Sequence, residues 1–243
     1  QKWYNVLNHT RIVWYKILGG ISMKIIVIGA NHAGTAASNT ILDHFKDNEV
    51  TIYDRNNNIS FLGCGMALWI GEQISTSDGL FYCNKNVFEE KGAKVHMESE
   101  VLSVDENKKT VKVRLKDGSE IEDSYDKLII ATGSRPRSNK LPGEDLENIE
   151  VAKLFQDAKK VKEIGEREDI KNVVVVGSGY IGVELAEAFK RIGKNTTLVT
   201  RDSKILENYF DHEFSKPLED AMAENGIKLV YNEDVVEFKG EDG

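Results

Sequence analysis

The sequence has 243 residues, with 32 Lys and Arg against 40 Asp and Glu, a formal charge of -8 and 40% hydrophobic content. The basic residues are scattered among acidic ones, which excludes a basic nucleic-acid-binding stripe and a polybasic membrane anchor, and no apolar run reaches the length of a transmembrane helix. Two cysteines, Cys64 and Cys83, make no disulfide framework and have neither metal-ligand nor CxxC spacing; with no secretory signal they predict a cytoplasmic protein without a metal.

Residues 1–22 hold two of the three tryptophans, no acidic residue and no clean period. They are expected to be a non-native extension, with Met23 the natural start, because Leu18-Gly19-Gly20 can be encoded by codons containing AGGAGG, a bacterial ribosome-binding sequence. The alternative is an ordinary N-terminal arm.

From Met23 the pattern is strand, tight turn, helix, strand. The run KIIVIG (24–29) suits a buried parallel strand, GTAASNTILDHF (34–45) has helical period, and EVTIYD (49–54) is a second strand. Between the first two lies Gly29-Ala30-Asn31-His32-Ala33-Gly34, a G-x-G-x-x-G fingerprint with Asn31 at the second glycine position. Asn tolerates unusual backbone angles, so the departure is survivable. Asp54 follows Gly34 by twenty residues, where an acid can hold a ribose 2′-hydroxyl.

Next comes SFLGCGMALWIG (60–71), with Cys64 between two glycines at the head of an apolar segment. Taken alone, Cys64 reads as a small buried hydrophobe. The alternating runs AKVHME (93–98), EVLSVDE (100–106) and TVKVRLKDG (110–118) predict a β-meander. YDKLIIATGSRP (125–136) is a buried strand whose end, Ala131-Thr132-Gly133-Ser134, is small enough for close approach of another segment or a ligand. LPGEDLEN (141–148) is rich in turn formers and reads as the linker.

The second unit carries a cleaner fingerprint. NVVVVG (172–177) leads into Gly177-Ser178-Gly179-Tyr180-Ile181-Gly182, with Glu184 beyond it and a helix ending at Gly193. Glycines there let a pyrophosphate approach a helix N-terminus, whose free N–H groups and dipole favour negative charge. The strand TTLVT (196–200) ends in Thr200 and Arg201, where an NAD-preferring site has an acid. An arginine there can accept the 2′-phosphate of NADPH, so the nicotinamide choice stays open.

Two dinucleotide units separated by a meander and an ATGSRP strand end resemble the pyridine nucleotide-disulfide oxidoreductases, from Met23 almost to the C-terminus. The resemblance implies an α/β fold with two Rossmann-like domains and β-meanders, glutathione-reductase-like: residues 23–141 binding FAD and 142–243 an incomplete NAD(P)H domain. It also implies that the chain stops inside the second meander, without the C-terminal dimerisation domain of an intact homo-oligomer. Disulfide reductases of this family use C-x4-C, and position 69 is Trp69. SFLGCG and NHAG are instead similar to the single-cysteine branch of NADH oxidases and NADH peroxidases, and GCGMALWIGEQ followed by GLFY looks most like the water-forming oxidases. Peroxidase, coenzyme A-disulfide reductase, or an inactive nucleotide-binding fragment are the alternatives.

By that match Cys64 is the redox cysteine and His32 its partner. The resemblance further implies that NAD(P)H would reduce FAD, that the electrons would pass to O2, and that the Cys64 thiolate would attack the resulting peroxide, becoming a sulfenic acid that a second NAD(P)H would restore. Entry into a helix is expected to favour the thiolate, and burial is expected to shield the sulfenic acid. Ser60, Asp54 and Arg55, Val101 by its backbone, and Ala131 to Ser134 are expected around the flavin nucleotide. Tyr180 is expected to cover the flavin until nicotinamide enters, with Tyr209 also at the nicotinamide side. Cys83 reads as structural or incidental.

Overall fold

A computed structural model describes residues 22–138 and 140–240. The expectation for the segment before Met23 falls almost wholly outside them. Two compact units form, and they do not follow the chain linearly: one takes residues up to Ser60 and Cys83–Gly133, the other Phe61–Tyr82 and everything from Ser134 onward. The cysteine segment therefore belongs by packing to the second unit, although in sequence it lies inside the first.

In the first unit β1 (Lys24–Ile28), β2 (Glu49–Tyr53), β3 (Lys94–His96) and β7 (Lys127–Ile130) make a parallel sheet ordered β3-β2-β1-β7. Side chains alternate across a strand, so β1 and β2 feed two cores. Val27, Val50 and Ile52 face helices α1 (His32–His44) and α3 (Lys85–Glu90) with Leu42 and Phe88. Ile26, Ile28 and Tyr53 face Val111 and Val113 of the meander formed by β4 (Glu100–Asp105), β5 (Thr110–Arg114) and β6 (Glu120–Ser124). The sheet and meander are also bolted by polar contacts, since Lys24 pairs with Asp123 and Tyr53 Oη donates to Asp123 Oδ2 at 2.9 Å.

One strand assignment is corrected. AKVHME, expected in the meander, pairs in parallel with β2 through Thr51 and Lys94, and the third meander strand is Glu120–Ser124 instead. Both segments are short, and periodicity alone does not tell a sheet edge from a meander strand.

In the second unit β8 (Asn172–Val176), β9 (Asn195–Val199) and β10 (Lys228–Val230) form a parallel sheet ordered β10-β9-β8. The helices are α2 (Met66–Ile70), α4 (Phe155–Glu166), α5 (Tyr180–Arg191) and α6 (His212–Glu224). The core joins Met66 and Ile70 of the cysteine segment to Ala186 and Phe189 of α5, and to Leu198 and Ile205. A Cβ added at Gly71 would lie 3.0 Å from Ala188 Cα, so the end of α2 sits directly on α5. Val174 and Val176 of β8 remain 62% and 55% exposed; in the first unit the matching sheet face is covered by the meander.

Candidate functional site

Both fingerprints fold into the same turn. Gly29 and Gly177 take φ +96° and +101°, left-handed values that glycine adopts without strain. Their N–H groups donate to Tyr53 O and Val199 O, each at 2.8 Å. A Cβ at the third glycine, Gly34 or Gly182, would lie 1.8 Å from the carbonyl oxygen of Gly29 or Gly177. Neither the thirteen-residue α1 nor the twelve-residue α5 has a side-chain cap or an acidic residue in its first turn. The N-terminal end of each helix favours an anion through its dipole, and the residues fit two dinucleotides.

The reason for tolerating Asn31 differs from the expected one. Asn31 has φ -89° and Gly179 has φ -73°, so the second position needs no unusual backbone angle. What a residue there changes is the bulk facing a ligand. A Cβ at Gly179 would meet Tyr209 at 4.0 Å, an ordinary contact.

Around the first turn, Asp54 is 7% exposed and bonded inward: Oδ2 accepts from Ala30 N at 2.6 Å and Oδ1 from Asn56 N at 2.7 Å. The acid expected at a ribose also closes its own phosphate turn. Arg55 is exposed beside it and lines an open groove with Glu98, Glu100, Arg114 and Lys116. Val101 lies on the edge strand β4, paired with Val113 of β5 just before the register shifts ahead of Ser103, so one side of its backbone meets no other strand of the meander. Ala131 N donates to Ile28 O at 2.8 Å, and the Cβ that Gly29 lacks would collide with Ala131 O at 2.4 Å. Thr132 and Gly133 follow, exposed. His32 and Ala33, exposed, open α1.

Ser60 is fully buried, and its hydroxyl both accepts from Cys83 N and donates to Cys83 O, each at 2.8 Å. Its own N–H donates to Ala30 O at 3.1 Å, which gives it the geometry of a fastener behind the turn. Cys83 is partly buried, and burial pushes its thiol pKa up.

In the second unit Cys64 sits in a 3-10 turn, Gly63–Gly65, ahead of α2. Two expectations for it are corrected. Cys64 is exposed, so this chain supplies neither the buried hydrophobe nor the shield by burial. The helix that follows has five residues, too few aligned peptides for the expected dipole. The thiol opens on an apolar groove lined by Leu62, Leu68, Ile74, Thr76 and Leu80. Trp69 stacks on Phe155 at 5.7 Å, with Lys162 Nζ 5.8 Å from its ring centroid. The residue standing where a disulfide reductase has its second cysteine is thus an anchor for the segment.

The structure brings Tyr180 and Tyr209 together, ring centroids 4.6 Å apart, with Phe210 at 6.1 Å from Tyr180. Ile181 and Glu184 lie on the exposed face of α5, and Ser134 and Arg201 are also exposed. Sequence reasoning missed Ser178, whose Oγ donates to Thr200 Oγ1 at 2.9 Å. It also missed Glu219, 9% exposed, which accepts from Ile205 N at 3.0 Å and so holds the loop after β9. Neither pairing has a signal in the sequence, because only the fold makes the partners neighbours.

The paired turns are of a kind that fits two dinucleotides, and the chain belongs to the pyridine nucleotide-disulphide oxidoreductase family, whose model matches residues 23–243. More particularly, it is 48% identical over 229 residues to an NADH oxidase of Streptococcus pyogenes, covering 89% of this chain and 50% of that protein. The water-forming NADH oxidase from Lactobacillus brevis, bound to NADH, superimposes with a TM-score of 0.87 at 38% identity, over 90% of this chain and 49% of its own. An engineered NADPH oxidase made from it, bound to NADPH, gives 0.86 at 38%, over 89% and 48%. The chain thus spans about half the length of the curated relatives it matches.

Proposed function

We propose that this chain is the nucleotide-binding part of a flavin-dependent NAD(P)H oxidase that reduces O2 to water with Cys64 as its redox group. The observation that carries the reading is the combination of two uncapped phosphate turns with one exposed cysteine whose would-be partner position is a packed tryptophan. The similar L. brevis oxidase, water-forming and bound to NADH, supports it.

Residues 23–141 are assigned to FAD and 142–243 to NAD(P)H. FAD bound in the first unit would relay electron pairs from the nicotinamide to oxygen. The turn from Gly29 to Gly34, Asn31 included, holds its diphosphate by backbone N–H groups. Asp54 keeps lone pairs for ribose hydroxyls while it closes the turn, with Arg55 beside it. The β4 edge at Val101 takes the adenine by its backbone, and Ala131 to Gly133 line the ring system, with Ser134 beyond. In the second unit Gly177 to Gly182 take the second diphosphate, Ile181 and Glu184 following in α5. Tyr180 and Tyr209 form the aromatic cover of the nicotinamide side.

At Cys64 the thiolate attacks one oxygen of hydrogen peroxide. The S–O bond forms as the O–O bond breaks, leaving a sulfenic acid and a hydroxide that takes up a proton as water. Two electrons and two protons return the sulfenic acid to the thiol and release a second water. His32, at the head of α1, is assigned to stabilise or protonate the oxygen species, since an imidazole can donate or accept a proton. Without a second thiol at position 69 the oxidised cysteine has no internal disulfide to form there.

The test is oxygen uptake by the FAD-loaded protein. A water-forming oxidase consumes twice as much NAD(P)H as O2, unchanged by catalase; Cys64→Ser should shift the ratio to equal consumption, with catalase returning oxygen. Dimedone should label Cys64 after peroxide treatment. Peroxide release by the unaltered protein, or no effect of Cys64→Ser, sinks the reading; turnover of added peroxide but not of O2 assigns the peroxidase instead.

A further inference from the structure

The two phosphate turns differ at the tip of the second strand. In the first unit that tip is Asp54, whose carboxylate accepts from Ala30 N. In the second it is Thr200, 4% exposed, whose oxygen accepts from Ser178 Oγ at 2.9 Å and from Asp202 N at 3.2 Å. A neutral, inward-bonded hydroxyl thus stands where an acid would receive a ribose 2′-hydroxyl and repel a 2′-phosphate.

Arg201 follows with its side chain 78% exposed, and its ion pair is a loose one, Nε to Asp202 Oδ1 at 3.9 Å. A pair this long and this exposed holds a guanidinium weakly. The backbone beneath it is held firmly: Leu206 N donates to Ser178 O at 2.9 Å, Ile205 N to Glu219 Oε1, and Ser203 N and Oγ to Glu207. Arg201 therefore projects from a fixed base beside the phosphate turn. A planar guanidinium matches a phosphate by two parallel N–H groups. Asp202, its side chain 28% exposed, opposes that anion.

We infer that the second dinucleotide site selects the 2′-phosphorylated coenzyme, with Arg201 as the residue that determines the choice and Asp202 as the residue that limits it. The inference rests on the proposed reading of this unit as the nicotinamide dinucleotide site.

The experiment is calorimetric titration of the protein with adenosine 2′,5′-bisphosphate and, separately, with 5′-AMP, neither of which requires flavin or turnover. The bisphosphate should bind about tenfold tighter or more, as expected for one charge-assisted phosphate contact. Arg201→Ala should bring the two affinities within about twofold while leaving that for 5′-AMP unchanged, Arg201→Lys should keep part of the difference, and Asp202→Asn should widen it. Equal binding of the two ligands by the unaltered protein, or an unchanged ratio in Arg201→Ala, overturns the selection and leaves the dinucleotide reading standing. Binding of neither ligand overturns both.

Discussion

Asp54 Oδ2 accepts a 2.6 Å hydrogen bond from the N–H of Ala30, the residue inside the first phosphate turn. The same carboxylate accepts from Asn56 N, so one buried acid ties the end of β2 to the loop that a diphosphate would occupy. Replacing Asp54 by Ala leaves two N–H donors without their acceptor and should cost about 2–4 kcal/mol. Asp54→Asn, which keeps one acceptor, should lose less. Urea denaturation followed together with flavin retention reads both effects; equal losses for the two variants would show that the charge, not the acceptor count, matters.

Gly29 and Gly118 both have positive φ, +96° and +83°. A Cβ at Gly118 meets nothing within 4 Å, whereas one at Gly29 lies 2.4 Å from Ala131 O. Gly118→Ala should cost about 1–2 kcal/mol, from backbone strain alone. Gly29→Ala should exceed it by at least about 1 kcal/mol, because β1 and β7 must also separate. Comparing the two denaturation midpoints checks the difference.

Tyr231 is pushed up to about 12 by burial, then by the charge and hydrogen bond of Glu219. A tyrosine in an unfolded chain ionises near about 10. The folded pKa is the higher, so the contribution is complete below about pH 10 and is lost as pH rises toward about 12. With Tyr231 partly solvated, about 1 kcal/mol is at stake after screening. Tyr231→Phe should flatten the alkaline limb of a thermal-stability profile and leave its acid limb unchanged.

Cys64 is exposed and Cys83 partly buried with a raised pKa. Alkylation near neutral pH should therefore label Cys64 first. Peptide mapping at short times decides it, and earlier labelling of Cys83 would contradict the exposure found here.

Much of the scaffold is legible in the chain because its signals are local. The runs KIIVI and NVVVV, the glycine spacing after each and the helical period beyond depend on residues a few positions apart. Asn31 is legible as a departure, but its backbone angle is not, and the structure moves the explanation from conformation to bulk. The third meander strand and the true place of Lys94–His96 could not be read, since a short strand's partner is chosen by the sheet edge left open to it.

The residue types that chemistry needs were set by sequence alone: one thiol at 64, an indole at 69, an acid at 54, a threonine and an arginine at 200 and 201. Covalent order also set the glycine spacing of the two turns, Gly29 to Gly34 and Gly177 to Gly182. Tertiary structure decided what those residues touch. It seated the cysteine segment in the second unit by packing Met66, Ile70 and Trp69 against helices encoded far downstream, left Cys64 open to solvent, turned Asp54 inward and joined Ser178 to Thr200. Burial and side-chain pairing depend on segments distant along the chain arriving at one place, and no local pattern of residues records that arrival.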